Sequence, residues 1–140
     1  MKINSTKFGE IEYEESAVIT FSDGLLGFGA NKKFLMLNAE ENSPFKWLLN
    51  VEDPELAFLV IDPYLFEPDY DFALSKDDSN ELGITVKEDY VVLVIVVVQE
   101  DPTKSTANLL GPIILNIKNQ KAKQLVLNNT KYTTKHSLMK

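Results

Sequence analysis

Two short apolar runs, each followed by an Asp-Pro pair, limit what this chain can fold into more than any other feature. Leu56–Ile61 lies between Asp53-Pro54 and Asp62-Pro63, and Asp101-Pro102 follows Val91–Val98. Proline fixes its own φ, lacks an N–H and pushes the preceding residue towards extended geometry, so each pair should end a strand. Both runs are short and rich in β-branched residues, which favours strands. Because both are apolar on either face, we expect central strands covered on each side.

Further short segments of the same kind predict about nine strands. The predicted strands are Lys2–Asn4, Phe8–Tyr13, Ala17–Phe21, Lys33–Asn38, Trp47–Val51, Leu56–Asp62, Tyr90–Gln99, Pro112–Ile117 and Lys123–Leu127. One short helix is predicted over Lys76–Leu82, because Ser75 can cap its start and Gly83 can end it. The glycines from Gly24 to Gly29 predict a turn and not a phosphate-binding loop.

The order of these segments predicts the fold class. Many short strands are separated by Gly, Pro and Asn, and no alternation of strand and helix runs along the chain. This pattern favours a mainly β protein, a small antiparallel β-barrel or barrel-like sandwich with at most one short helix. No linker interrupts the 140 residues, so we expect a single domain over residues 1–140.

Charge is distributed unevenly along the chain. Residues 40–101 hold 16 Asp or Glu against three Lys, a local charge of −13, whereas residues 116–140 hold six Lys and no acid. This asymmetry favours a basic partner on the acidic face, although the two regions can instead neutralise each other across the folded surface. All 14 basic residues are Lys, so the planar bidentate contacts that Arg makes are absent.

Residue types suited to catalysis or metal binding are few. The chain has no cysteine, and His136 is its single histidine, within a Lys-rich segment where a surface position is favoured. Asp69 and Asp71 could present paired carboxylates, as a small hydrolase would need, but nothing predicts the apolar pocket that raises one pKa. The same pair lacks the glycine and later glutamate of a calcium loop. We expect no enzymatic activity, no metal and no cofactor.

The hydropathy pattern predicts a cytoplasmic protein with no membrane partner. Met1–Lys7 lacks the apolar core of a signal peptide. The longest apolar run, Val91–Val98, is far shorter than the roughly 20 residues of a membrane-spanning helix.

Nucleic-acid binding is the alternative function. Small barrels such as the OB fold often bind single strands through aromatic side chains and a basic groove. Here the aromatic residues are interleaved with acids, which repel phosphate. Only the Lys-rich C-terminal segment, Lys118–Lys140, has the charge that single-stranded RNA requires. Direct binding of nucleic acid is therefore not expected.

Several motifs in a fixed order make the chain resemble the bacterial flagellar assembly factor FliW family over nearly its whole length. The matching segments are Ile19–Phe28, Pro44–Leu48, Glu52–Pro63, Pro68–Tyr70, Glu100–Pro102, Thr106–Leu109 with Pro112, Asn116, and Lys121–Gln124. The resemblance implies a small, mostly antiparallel β-barrel. It also implies a regulator without enzymatic activity that binds two proteins. One is cytoplasmic flagellin, and the other is the carbon storage regulator, a basic RNA-binding dimer that represses translation of flagellin mRNA.

Within that role, the acidic and aromatic residues between the two central strands are the candidate binding surface. Acid beside aromatic side chains on a loop favours contact with another protein, and Tyr64, Phe66, Tyr70 and Phe72 are expected to be exposed. The candidate residues are Asp62, Glu67, Asp69, Tyr70 and Asp71, with Phe45 and Trp47 as apolar anchors. A core position is the competing interpretation for both anchors, and it is favoured for Trp47.

Overall fold

The computed structural model describes residues 1–23, 32–128 and 130–138, so the predicted turn from Gly24 to Gly29 lies outside the described residues. Eleven strands and one α-helix follow one another in the described part. The strands are β1 (Lys2–Ser5), β2 (Gly9–Glu12), β3 (Ile19–Phe21), β4 (Lys33–Asn38), β5 (Lys46–Asn50), β6 (Ala57–Ile61), β7 (Tyr90–Val97), β8 (Thr106–Ala107), β9 (Ile113–Asn116), β10 (Lys121–Gln124) and β11 (His136–Ser137). The helix α1 covers Lys76–Leu82. Single 3₁₀ turns cover Glu15–Ala17, Pro63–Leu65, Lys87–Asp89 and Pro102–Lys104.

Seven strands close into a barrel in the order β7, β6, β5, β4, β3, β10 and β9, because β9 pairs back onto β7. Neighbouring strands are antiparallel except β3 and β10, which run parallel. β6 and β7 have partners along both edges, so the two apolar runs form central strands as predicted. The predicted class, a mainly β antiparallel barrel with one short helix, is confirmed.

β7 shows why a barrel strand can be apolar on both faces. Leu93 belongs to the cluster that fills the barrel, together with Phe21 and Phe34. Val92, Val94 and Val96 belong to a second cluster, which includes side chains from residues 62–89 and 125–138. These two segments form an outer layer over part of the barrel, so alternate residues of the strand are buried on opposite sides.

The outer layer does not cover the whole of the second apolar run. Val91, Val97 and Val98 are 39%, 55% and 58% exposed. The expectation that this run is covered on each side is therefore wrong at its two ends, where the covering segments do not reach.

Helix α1 has the predicted bounds because its signals are local. Ser75 Oγ accepts a hydrogen bond from the Asp78 N–H at 3.1 Å, which caps the start. Gly83 adopts a left-handed conformation with φ of 71° and ends the helix. Leu82 is buried, which fixes the helix on the outer layer of the barrel.

Other strand boundaries differ from the predicted ones. Ala17 lies in a 3₁₀ turn, and β3 begins only at Ile19. β10 covers Lys121–Gln124 instead of Lys123–Leu127, because its pairing with β9 ends at Gln124. The two-residue strands β8 and β11 were not predicted.

The first two strands stand apart from the barrel. β1 and β2 pair with each other as an antiparallel hairpin and form a separate two-stranded sheet. Ser5 Oγ accepts hydrogen bonds from the Lys7 and Phe8 N–H groups at 3.2 Å, and Gly9 takes a φ of 74° that favours glycine. These features fix the tip of the hairpin as a tight turn.

Candidate protein-binding site

An open apolar groove of about 730 Å³ lies on the outside of β5 and β6. Its lining is mainly apolar and includes Phe45, Trp47, Leu59, Ile61, Leu65, Phe66, Val98, Pro102 and Leu138, with Glu40, Ser43 and Ser105 as its polar members. Leu65 is 61% exposed, an uncommon degree for leucine beside other apolar side chains. A large, mainly apolar surface of this kind is typical of a site that another molecule covers.

The two predicted anchors both line this apolar groove. Phe45 is half-buried and packs against the outer cluster of the core. Trp47 is also half-buried but belongs to neither apolar cluster, so the core interpretation favoured for it is wrong. Its ring instead contacts the tip of the N-terminal hairpin, where Phe8 lies 5.6 Å away between ring centroids.

Three of the predicted acids lie around a second depression, which we call the acidic depression. Asp62, Asp69 and Asp71 are exposed and line it together with Tyr64 and Lys87. In the described residues, no lysine ammonium lies within 4.0 Å of any of the three carboxylates. Among the residues that the structure describes, this depression therefore holds three negative charges against the one positive charge of Lys87, with no ion pair between them.

Asp62 has a structural task as well as a surface position. Its side chain accepts a hydrogen bond from the Tyr64 N–H at 2.9 Å and caps the 3₁₀ turn that follows β6. Pro63 begins that turn, where its missing N–H needs no partner. The Asp-Pro pair therefore ends the strand in the way the sequence predicts.

Glu67 lies apart from the other predicted acids. It does not line the acidic depression, and its carboxylate is 3.3 Å from His136 Nε2. The His136 ring lies 6.0 Å from the ring of Phe66, which lines the apolar groove. The Glu67–His136 pair thus holds β11 beside the groove.

Tyr70 is not an exposed recognition residue, and the prediction that it is exposed is wrong. It is 3% exposed, and its hydroxyl donates a 2.6 Å hydrogen bond to the Leu109 carbonyl. Burial raises the pKa of the Tyr70 hydroxyl above its ordinary value of 10.0, so the group remains a donor. The ring packs 4.7 Å from that of Tyr132, whose hydroxyl accepts a hydrogen bond from the Asp71 N–H. Tyr70 therefore anchors the segment that carries the acids.

Of the other three aromatic residues expected to be exposed, Tyr64 alone is. Tyr64 is 41% exposed, whereas Phe66 and Phe72 are half-buried against the outer cluster. The interpretation of this segment as an aromatic surface is therefore wrong for most of its rings. Aromatic side chains here mainly attach the acidic segment to the barrel.

Two lysines of the Lys-rich region form ion pairs with acids of the outer layer. Lys123 Nζ lies 2.8 Å from carboxylate oxygens of Asp78 and Glu81, and Lys118 Nζ lies 2.6 Å from buried Asp89. Hydrogen bonds from Lys123 hold the pKa of Asp78 and of Glu81 below their ordinary values, and the two acids raise the pKa of Lys123. These ion pairs weaken the case for an RNA-binding groove.

Two further features concern residues 1–23, 32–128 and 130–138, namely metal-binding clusters and membrane-spanning helices. No group of three or more His, Asp or Glu side chains in these ranges is placed to hold a metal ion. None of the helical segments there is long and apolar enough to cross a membrane.

A comparison with family models decides what kind of protein this is. Residues 2–138 match the model described as FliW protein. The chain belongs to the FliW family. It is 44% identical to the flagellar assembly factor FliW of Geobacter sulfurreducens, with 97% of this chain and 85% of that protein aligned. It is 41% identical to the flagellar assembly factor FliW of Caldanaerobacter subterraneus subsp. tengcongensis, over 99% of this chain and 93% of that protein.

The fold of this FliW family member agrees with a solved relative. The crystal structure of the flagellar assembly factor FliW matches with a TM-score of 0.93 at 35% sequence identity, covering 100% of this chain and 98% of the other. The resemblance found in the sequence motifs is therefore confirmed, as is the barrel it implied.

Sequence reasoning missed most of the apolar groove in this FliW family member. Leu59, Leu65, Phe66 and Leu138 line the groove but were not among the predicted site residues. Leu65 and Phe66 follow Asp62-Pro63 after one residue, Tyr64, and apolar residues in a turn after a strand are a signal for an exposed apolar surface. Leu138 gave no such signal, because the strand that brings it to the groove has two residues.

Proposed function

We propose that this FliW family member is a flagellar assembly regulator that acts in the cytoplasm by binding proteins and not by catalysis. Its two partners are flagellin and the carbon storage regulator, the translational repressor of flagellin mRNA. Bound to the repressor, it allows flagellin synthesis. Accumulating flagellin captures it and frees the repressor, and secretion of flagellin resets the system. Relatives that share 41–44% of its sequence carry the name flagellar assembly factor, which supports this role.

The apolar groove is the proposed site for flagellin. Amphipathic helices commonly bind by laying their apolar side chains into a groove, and the resemblance implies that flagellin is recognised by its helical termini. Trp47, Phe45 and Phe66 supply large apolar contacts of the kind that dominate binding energy. Leu65, at 61% exposure, would lose most of its contact with water in such a complex.

The acidic depression is the proposed site for the carbon storage regulator. Opposite charges on two partners speed their association and select the correct partner. Asp62, Asp69 and Asp71 outnumber Lys87, which lines the same depression and is not within 4.0 Å of their carboxylates, so the depression keeps a net negative charge. A basic dimer is the kind of partner that this field attracts.

The observation that carries the proposal is the sharing of one segment between the two surfaces. Asp62 lines the acidic depression, and Leu65 and Phe66 line the apolar groove three and four residues later. The 3₁₀ turn between them is short and capped, so the two surfaces adjoin on a rigid support. Two adjoining surfaces of different chemistry suit a regulator with two partners.

Calorimetry with purified flagellin and purified carbon storage regulator tests the proposal. Leu65→Glu places a charge in the groove without disturbing a buried side chain. We expect about tenfold weaker flagellin binding, because an unpaired carboxylate in an apolar contact is unfavourable. Ile117→Glu is the matched control, since Ile117 is 48% exposed and lies outside the groove.

Three results would count against this assignment. Failure of the unmodified protein to bind either partner contradicts the proposed function itself. Flagellin binding that Leu65→Glu and Ile117→Glu reduce equally moves the flagellin site away from the groove. Binding of the regulator that is lost with Leu65→Glu and kept in a variant with both Asp69→Lys and Asp71→Lys reverses the assignment of the two surfaces.

A further inference from the structure

Trp47 forms part of the apolar groove although the barrel core does not hold its ring. Its backbone belongs to β5, where it pairs with Leu59 of β6 and Leu37 of β4. The side chain is half-buried and is absent from both apolar clusters. Something other than core packing must therefore set the orientation of the largest side chain in the groove.

The tip of the N-terminal hairpin, residues 6–8, contacts the Trp47 ring through Lys7 and Phe8. Lys7 Nζ lies 3.6 Å from the Trp47 ring centroid, a close cation–π contact. Phe8 meets the same ring in an edge arrangement, at 5.6 Å between centroids and an interplanar angle of 66°. Neither Lys7 nor Phe8 lines the groove, so they contact the indole away from the groove itself.

The hairpin tip is in turn attached to the barrel by Glu55, in the turn between β5 and β6. One carboxylate oxygen accepts the Thr6 N–H at 3.0 Å, and the other accepts the Thr6 hydroxyl. These hydrogen bonds hold the pKa of Glu55 below its ordinary value. Lys7 and Phe8 follow Thr6 directly, so Glu55 places both of them against the indole.

The contacts at the tip are the ones by which the described residues attach the hairpin to the barrel. β1 and β2 pair with each other, and an isolated two-stranded hairpin is marginally stable in water. In the described residues, neither apolar cluster includes a hairpin side chain. The contacts at Glu55 and Trp47 therefore order the tip and the indole together.

We propose that the hairpin tip is a positioning element for the groove: Lys7 and Phe8 hold the Trp47 ring as its wall, and Glu55 holds the tip. The inference rests on the proposed function for the identity of the groove's ligand, which is flagellin. Preorganising a large aromatic side chain raises affinity because less rotamer freedom is lost on binding. Glu55, Thr6, Lys7 and Phe8 thus act on binding through Trp47 and not by touching the partner.

Trp47 reports on its own orientation, because it is the single tryptophan of the chain. Fluorescence anisotropy and acrylamide quenching of the free protein measure how firmly and how openly its ring is held. In Lys7→Ala/Phe8→Ala we expect lower anisotropy and about twofold stronger quenching, since both ring contacts are gone. Glu55→Ala should shift both quantities in the same direction by less. Glu55→Gln should restore them, because the amide oxygen still accepts the Thr6 N–H.

Matched controls separate positioning from general loss of structure. Lys121→Ala removes an exposed lysine on β10, and Glu52→Ala removes an exposed acid from the same turn as Glu55. Neither should change Trp47 fluorescence. Circular dichroism of every variant shows whether the barrel is intact. Unchanged anisotropy and quenching in folded Lys7→Ala/Phe8→Ala would overturn the proposal.

Flagellin titrations give the second readout. We expect Lys7→Ala/Phe8→Ala to weaken flagellin binding about three- to tenfold, Glu55→Ala less, and the two controls not at all. Tighter binding by the double variant would overturn the proposal, because the tip would then obstruct the groove instead of shaping it. If the unmodified protein does not bind flagellin, the proposed function fails, and the fluorescence of the free protein still decides whether the tip holds Trp47.

Discussion

The acids of helix α1 and those of the acidic depression carry the same charge, but they differ in what surrounds them. Asp78 and Glu81 each lie 2.8 Å from Lys123 Nζ. Asp62, Asp69 and Asp71 have no lysine at ion-pair distance in the described residues. The acids that give residues 40–101 their local charge of −13 therefore do not form a single acidic surface. Asp78 and Glu81 are neutralised within the protein and hold the helix, whereas Asp62, Asp69 and Asp71 are exposed.

This difference assigns separate effects to the two sets of acids. Removal of one partner of a partly buried ion pair leaves the other charge uncompensated and lowers stability. Loss of an exposed, unpaired charge hardly changes stability and acts on the association rate. Changes at the paired acids should therefore alter unfolding and not association, and changes at the unpaired acids should alter association and not unfolding.

The largest effect is expected from Lys123→Ala. The variant leaves Asp78 and Glu81 without their counterion at a site where the Lys123 side chain is 24% exposed. We expect a loss of roughly 1–3 kcal/mol in the free energy of unfolding, measured with urea. Association with the carbon storage regulator should not slow. Lys121→Ala, two residues away and exposed, is the control and should change stability by less than about 0.5 kcal/mol. Equal stability of the two variants would show that α1 does not depend on Lys123.

The next effect concerns the unpaired acids. Asp69→Lys combined with Asp71→Lys should slow association with the carbon storage regulator about tenfold at low salt, with little change in stability. The difference should shrink at high salt, because the Debye length falls from about 10 Å at 0.1 M to about 3 Å at 1 M. Stopped-flow or surface plasmon resonance measures the association rate at low and at high salt. Glu14→Lys/Glu15→Lys makes the same charge change on the turn before β3, and equal slowing there would assign the effect to net charge alone.

The sequence could predict those structural features of the two acidic regions that depend on residues close together in the chain. Helix α1 has the predicted bounds, because Ser75 and Gly83 act within one turn of its ends. The Asp62 cap and the strand end before Pro63 are local for the same reason. The positions of Asp69 and Asp71 on an exposed loop also follow from their own residue types and from Pro68.

Sequence could not predict what distant residues decide. Tyr70 is buried because Leu109 and Tyr132, 39 and 62 residues away, supply its hydrogen-bond acceptor and a ring contact. Lys123 finds its acids 45 and 42 residues earlier in the chain. Whether the acids and lysines neutralise each other was left open by the sequence, because both arrangements satisfy the same composition.

The pH dependence of stability sharpens the comparison further. The pKa values of Asp78 and Glu81 lie below their ordinary 3.8 and 4.5, so the stability they contribute is complete above those values and is lost as pH falls below them. The pKa of Lys123 is raised above 10.5, so its contribution is complete below that pH. The stability difference between the unmodified protein and Lys123→Ala should be constant from about pH 6 to 9. It should shrink by roughly 0.5–1 kcal/mol towards pH 3, allowing for solvent screening around Glu81. A difference that grows on acidification would contradict the proposed ion pairs.

The smallest effect is expected at Asp62, which has two roles. Its charge contributes to the acidic depression, and its side chain caps the 3₁₀ turn after β6. Asp62→Asn keeps an oxygen that can accept the Tyr64 N–H, so stability should hold while association with the regulator slows about twofold. Asp62→Ala removes both functions, so it should slow association equally and lower stability by about 0.5–1 kcal/mol. Urea unfolding and association rates of the two variants measure this. If Asp62→Asn destabilises the protein as much as Asp62→Ala does, the charge of Asp62 supports the fold, and this acid belongs with those of helix α1.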